Sequence, residues 1–112
     1  MAWSATHRHA RIAPRKARLV VDMIRGMKAS EALNILTYTP KRASVFVSRV
    51  LKSAVANADE DKNRDVDVEK LYIVEARVDE GPRMKRVSPK DRGRAYMICK
   101  QMSHIILVVD EK

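Results

Sequence analysis

The sequence predicts an α+β fold: one domain over residues 1–112, with a long protruding β-hairpin arm at residues 80–104. Apolar side chains recur at helical spacing in three successive segments before residue 60. Apolar or alternating stretches typical of strands lie at residues 71–79 and 105–109. Residues 80–104, between those two stretches, show no helical periodicity and hold seven basic side chains. A chain of 112 residues has room for one domain with a modest core.

The first part of the chain predicts an extended segment and then a helix. Residues 3–12 alternate irregularly and indicate extended backbone. Pro14 suits the first position of a helix, and Ala17, Val20, Val21 and Ile24 keep helical spacing after it. Gly26 is placed to end this helix in a left-handed conformation.

Two further helices are predicted before residue 60. A short one covers residues 29–37, with Ala32, Leu33 and Leu36 turned inward. For the next, Thr39 is the predicted N-cap and Pro40 lies in the first turn. That helix continues to about residue 59, with one apolar half formed by Ala43, Phe46, Val47, Val50, Leu51, Ala54, Val55 and Ala58.

The second half of the chain predicts a loop and two strands. Residues 59–67 are polar and acidic, as expected of a loop. The strand at 71–79 is predicted to place Tyr72, Val74, Ala76 and Val78 on one side. Residues 105–109 are apolar on both faces, which favours the middle strand of a small sheet that helices cover on one side.

Residues 80–104 predict an arm rather than a structureless loop, because so long a loop is unusual in a compact domain. The turn is expected near residues 88–94, and ten residues per limb would reach roughly 30 Å from the body. A two-stranded ribbon without a core is marginal in water. We therefore expect a polyanionic partner to hold it. A surface loop with no partner is the alternative interpretation.

The charge is unevenly distributed. The formal net charge is +9, and residues 1–28 and 82–104 each contribute +6, whereas residues 59–81 contribute −5. Two separated basic segments and one acidic segment are typical of a protein that turns one side to nucleic acid. Charges that cluster by chance on a solvated surface are the simpler alternative.

Several classes of function are disfavoured by what the sequence contains. The longest apolar run, residues 105–109, is far short of the roughly 20 residues of a membrane helix. Cys99 is the one cysteine, which suggests a reducing compartment. His7 and His9 would share one face of a strand. Together with His104 they make a poor metal site among arginines. We predict no enzyme activity, no catalytic residue, no metal and no cofactor. A small nuclease or a free-standing regulator of DNA or RNA remains the rival interpretation.

Seven strings, in order along nearly the whole chain, resemble the large-subunit ribosomal protein twenty-two family. The length and the start at residues 7–11 (HRHAR) resemble bacterial members. The strings are residues 16–26 (KARLVVDMIRG), 32–36 (ALNIL), 50–58 (VLKSAVANA), 78–82 (VDEGP), 84–86 (MKR), 93–95 (GRA) and 103–105 (SHI).

The resemblance implies three helices packed on a three-stranded antiparallel sheet, plus the arm. It also implies a structural constituent of the large ribosomal subunit in the cytoplasm that binds 23S-type rRNA and aids assembly. Partners would be neighbouring large-subunit proteins and the nascent polypeptide, with the chain a monomer within the ribosome and no membrane involved. The part of the arm expected to line the exit tunnel is Ser88, Pro89, Lys90, Asp91, Arg92, Gly93 and Arg94.

Candidate rRNA-binding residues follow from the basic segments, because Lys and Arg neutralise phosphates. The helix stripe Lys41, Arg42, Arg49 and Lys52 belongs to this set, although such a stripe is as often only solvated. The other members are Arg8, Arg11, Arg15, Lys16, Arg18, Arg25, Arg83, Lys85, Arg86, Lys90, Arg92, Arg94, Lys100 and His104.

Overall fold

A computed structural model describes residues 2–61, 67–89 and 95–111, and within them it has the predicted α+β architecture. Three helices pack on one face of an antiparallel sheet of strand order β1-β5-β2, and β3 and β4 form a separate two-stranded ribbon. The elements are β1 (Trp3–Ala10), α1 (Pro14–Ile24), α2 (Ala29–Tyr38), α3 (Arg42–Asp59), a 3-10 turn (Val68–Lys70), β2 (Leu71–Glu80), β3 (Met84–Pro89), β4 (Ala95–Lys100) and β5 (Ser103–Glu111).

The core lies between the helices and the middle strand, as its apolar run predicted. Ile105, Leu107 and Val109 of β5 face the helices and are buried, whereas Ile106 and Val108 are half-buried on the opposite face. Helix α3 packs on β1 and β5, and α1 packs on β2. Side chains of one face of a strand alternate with those of the other, so β5 supplies core on one side only.

The prediction that Tyr72, Val74, Ala76 and Val78 share one side of β2 is wrong for the first two residues. The pairing with β5 shifts between Ile73 and Glu75, so that Val74 is an extra residue in the strand. Leu71 and Ile73 are buried together with Ala76 and Val78, while Val74 is 47% exposed. A β-bulge of one residue reverses the alternation that follows it. Because residues 71–74 are all apolar or aromatic, alternation alone does not show which parity faces the core.

The turn after α1 confirms the positive φ predicted for Gly26. Arg25 is extended (φ −63°, ψ 128°) and Gly26 has φ +82°, which is the backbone of a type II turn. The N–H of Met27 donates to the carbonyl of Ile24 at 3.2 Å and closes the turn. Helix α1 therefore ends in a β-turn rather than in a left-handed residue directly after its last turn.

The predicted N-cap of α3 is wrong. Thr39 ends α2 instead: its hydroxyl donates to the carbonyl of Ile35 at 2.7 Å and its N–H donates to that of Leu36 at 3.3 Å. Lys41 occupies the N-cap position without a side-chain cap. Helix α3 begins three residues after Thr39, and the Thr39 hydroxyl is turned toward the preceding helix, so it does not cap the next one.

The arm continues the pairing of β2 and β5. Glu80 pairs with Ser103, the N–H of Gly81 donates to the carbonyl of Met102 at 2.8 Å, and β3 pairs with β4 from Met84 opposite Lys100 onward. The radius of gyration is 17.1 Å, against about 13 Å for a compact domain of this length. Ser88 and Pro89 belong to β3, and the rest of the predicted tip, Lys90, Asp91, Arg92, Gly93 and Arg94, lies outside the described residues.

Candidate nucleic-acid interface

Four basic side chains from four parts of the chain line one cleft at the base of the arm. Arg11 comes from the β1–α1 connection, Lys16 from α1, Arg42 from the start of α3 and Lys100 from the end of β4. We call this the basic cleft; its volume is about 560 Å³, and all four cations are exposed. Ile12, Ala13, Gln101 and Met102 complete its lining.

The cleft forms because the apolar neighbours of these cations are buried. Ala10, Ile12 and Ala17 belong to the core, so that Arg11 and Lys16, which lie between them in sequence, point outward. The buried hydroxyl of Ser103 donates to the carbonyl of Ile12 at 2.6 Å. This bond fixes the β1–α1 connection to the strand that follows Lys100.

Arg42 is held by an aromatic pair. Its guanidinium carbon lies 5.8 Å from the centroid of the Phe46 ring. The ring of His7 meets Phe46 edge-on at 5.5 Å. A guanidinium within about 6 Å of a ring face is attracted by the ring's quadrupole. Phe46 therefore keeps the charge of Arg42 at the mouth of the basic cleft.

The charges of the basic cleft are not neutralised from within the described part of the chain. The salt bridges seen there join Arg25 to Asp22, and Arg77 to Glu75 and Asp79. Among the residues that the structure describes, no acidic side chain lines the cleft. Four like charges in one concavity raise the local potential and attract polyanions.

A second, shallower groove runs between β1 and α3. Arg8 and Arg49 line it together with His7 and Ser53. Lys52 is exposed on α3, and Lys41 is exposed just before that helix. The predicted helix stripe therefore lies on a solvent-facing side of α3, next to the N-terminal strand.

Two of the predicted rRNA-binding residues, Arg18 and Arg25, donate hydrogen bonds to the edge of the sheet. Arg18 donates through Nε and Nη2 to the carbonyl of Val78 at 3.3 and 3.0 Å. Arg25 donates in the same way to the carbonyl of Ala76 at 3.1 and 2.6 Å, and its Nη1 lies 2.8 Å from Oδ1 of Asp22. Because β2 is an edge strand, these forks pair carbonyls that no neighbouring strand reaches. This role was not predicted from the sequence. Helical spacing shows which side chains share a face of α1, but it does not show which element packs against that face.

The three histidines do not all lie together in the structure. His7 and His9 were expected on one face of a strand, but the pairing of β1 shifts between His7 and Ala10. His7 contacts Phe46, whereas the ring of His9 meets that of His104 edge-on at 4.9 Å. Nδ1 of His104 accepts the N–H of His9 at 3.1 Å. Among the described residues, no three His, Cys, Asp or Glu side chains lie close enough to share a metal ion.

The remaining candidates belong to α1 and the arm. Arg15 is exposed on α1 outside the cleft lining, and Arg83 is exposed where the arm begins. Lys85 and Arg86 lie on β3, but the structure does not describe their side chains. Lys90, Arg92 and Arg94 lie outside the described residues. Among the described helices none has the length and apolar character to cross a membrane.

Comparison with known protein families places this surface in context. The model of one family, described as ribosomal protein L22p/L17e, matches residues 5–110. The match covers most of β1, all three helices, β2, the arm and nearly all of β5, so it includes every residue that lines the basic cleft.

Proposed function

Because the chain belongs to the ribosomal protein L22p/L17e family, and so is a structural protein of the large ribosomal subunit, we propose that it binds large-subunit rRNA through the basic cleft and the arm. Its role in the ribosome is structural rather than catalytic. By binding rRNA segments on both the body and the arm, it helps the subunit to assemble beside neighbouring ribosomal proteins.

The observation that carries this proposal is the basic cleft. Four exposed cations converge there from elements far apart in sequence, and the described lining of the cleft contains no carboxylate. Such a site suits successive phosphates of one folded strand, because each neutralised phosphate releases counterions. Arg11 and Arg42 can in addition fork onto two phosphate oxygens. The cations are spread over the body and the arm. This distribution suits an RNA that surrounds the protein, and it does not suit binding through a single recognition helix.

The arm has a distinct part in the proposal. We propose that its tip, residues 88–94, helps line the polypeptide exit tunnel and meets the nascent chain there. The length of the molecule, 64 Å along its longest axis, supports an arm that reaches well away from the body. A photoreactive residue at Ser88 should cross-link to a stalled nascent chain, whereas one at Lys70, at the opposite end of β2, should not. Equal labelling from both positions contradicts the tunnel assignment.

The rRNA proposal is tested by removing two cleft charges and two matched charges elsewhere. We expect Arg11→Gln/Lys16→Gln to weaken binding to a large-subunit rRNA fragment and to reduce the slope of log Kd against log salt by about 1.4–1.8. The control is Lys28→Gln/Lys70→Gln, whose exposed cations lie at the end of β2 remote from the arm. Equal slope changes in the two variants would show that only net charge matters and would overturn the cleft as the binding site.

A further inference from the structure

We infer that His104 is a positioning residue: it holds a β-bulge at His9 that turns Arg11 out of the core and into the basic cleft. The inference rests on the proposed function for its biological purpose, but its structural part is testable without rRNA.

The bulge decides which side chains of β1 face outward. Up to His7 the strand pairs regularly with β5, with Trp3 buried inside and Ser4, Thr6 and Arg8 exposed outside. His7 pairs with Ile105 and Ala10 pairs with Ser103. Between these two pairs β1 advances three residues and β5 only two, so β1 contains one extra residue. In an uninterrupted strand Arg11 would share the inner parity of Trp3 and His7, and Ile12 would face solvent. One extra residue reverses this, and the structure has Ile12 7% exposed and Arg11 in the cleft lining.

The bulge is energetically unfavourable unless a side chain accepts the hydrogen bond that its backbone N–H can donate. His9 has φ +58°, in the left-handed region that residues with a Cβ seldom occupy. The N–H of a bulged residue is also left out of the strand ladder. Here that N–H donates to Nδ1 of His104, whose ring stacks edge-on with the ring of His9. The hydrogen bond requires Nδ1 of His104 to be an acceptor, so the imidazole proton sits on Nε2.

Ser103 completes the clamp from the other side. Its side chain is fully buried, and its hydroxyl donates to the carbonyl of Ile12 at 2.6 Å. Two successive residues of β5 thus fix both ends of residues 9–12. Lys100 lies only three residues before Ser103 and lines the same cleft as Arg11, so the clamp also connects the two parts of the chain that carry these cations.

Two substitutions separate the acceptor of His104 from its ring. His104→Phe keeps an aromatic ring beside His9 but has no acceptor, whereas His104→Asn keeps an acceptor near the position of Nδ1 and loses the ring. We expect amide exchange of His9 in the free protein to rise on the order of tenfold in His104→Phe and to stay near the starting rate in His104→Asn. Unchanged exchange in His104→Phe, or an equal rise in both variants, overturns the clamp.

Binding to a large-subunit rRNA fragment then tests whether His104 acts through Arg11. We expect His104→Phe to lower the salt slope by roughly 0.7–0.9, the share of one cation, and His104→Asn to restore it. In an Arg11→Gln background His104→Phe should cost nothing further. Additive losses overturn the inference, because they indicate a general structural effect. If Arg11→Gln itself leaves binding unchanged while the exchange result holds, the proposed cleft function fails and the clamp stands.

Glycine at position 9 keeps the test available if His104→Phe does not fold, because glycine adopts φ near +58° without strain. We expect His9→Gly/His104→Phe to fold and to bind within about twofold of the original chain. A folded double variant that binds as weakly as Arg11→Gln overturns the inference.

Discussion

Gly26 shows how a single backbone angle constrains the joint between α1 and α2. We expect Gly26→Ala to lower the free energy of unfolding by about 1 kcal/mol, because a Cβ disfavours φ +82°. Beyond Gly26 and its two chain neighbours, no described atom lies within 4 Å of the position the new Cβ would take, so the loss comes from the backbone alone. Urea unfolding followed by the fluorescence of buried Trp3 measures it. Gly26→Asn is the control and should lose less, because Asn tolerates the left-handed region; equal losses would point to packing instead.

Individual residues also show what the sequence could not reveal about the candidate site. Arg15, Lys16, Arg18 and Arg25 are all cations exposed on or just after α1, and all were predicted to bind rRNA. Only the packing of α1 on β2 separates them. Arg18 and Arg25 donate to backbone carbonyls that are about fifty to sixty residues away in sequence, whereas Lys16 lines the basic cleft. The positions of the charged residues on the helix could therefore be predicted from sequence, but the groups that each side chain contacts could not.

At the level of elements, the edge of β2 depends on α1. We expect Arg25→Met, which keeps the apolar stem and removes the donors, to destabilise the protein by about 1 kcal/mol, since the forked bond to Ala76 is half exposed to solvent. Arg15→Met, in α1 itself, is the matched control and should change stability little. Urea denaturation compares the two variants. An equal loss in both would show that the carbonyl of Ala76 needs no side-chain partner.

Helices were predicted more accurately than strands for a physical reason. Helix α3 carries eight apolar positions at regular spacing, which fixed its extent to within a few residues. Strands β1 and β2 each contain a one-residue bulge. A bulge is defined by pairing with a distant strand, here β5, and leaves no periodic mark of its own. The shared side of the alternating residues 72–78 was mispredicted for this reason, and so was the shared face of His7 and His9.

The whole molecule divides into a body that holds the described hydrophobic core and a separate two-stranded arm, β3 and β4, and this division could be predicted from the sequence. Residues 80–104 combine high positive charge with no apolar periodicity, which excludes a second buried layer. The basic cleft was beyond such reasoning. Arg11 and Lys100 are 89 positions apart and become neighbours only because β5 returns from the arm alongside β1.

The division predicts that the body folds without the arm. Among the described residues, every member of the hydrophobic core belongs to residues 3–58, 71–78 or 105–109. Replacing residues 84–100 with an Asn-Gly turn removes β3 and β4 but keeps the pairing of β2 with β5, since Glu80 and Ser103 still face each other. We expect one cooperative unfolding transition, seen by Trp3 fluorescence, with a Tm within a few degrees of the full chain.

The same replacement separates stability from rRNA binding. It removes six of the candidate cations, namely Lys85, Arg86, Lys90, Arg92, Arg94 and Lys100. If most of them meet phosphates, the salt slope of rRNA binding falls by roughly four while the body stays folded. The control is the full chain carrying Arg11→Gln/Lys16→Gln, whose slope should fall by less than half as much. A shortened chain that melts without cooperativity would mean that the arm's pairing stabilises the body. A shortened chain that binds rRNA with an unchanged slope would mean that the body alone makes the electrostatic contacts.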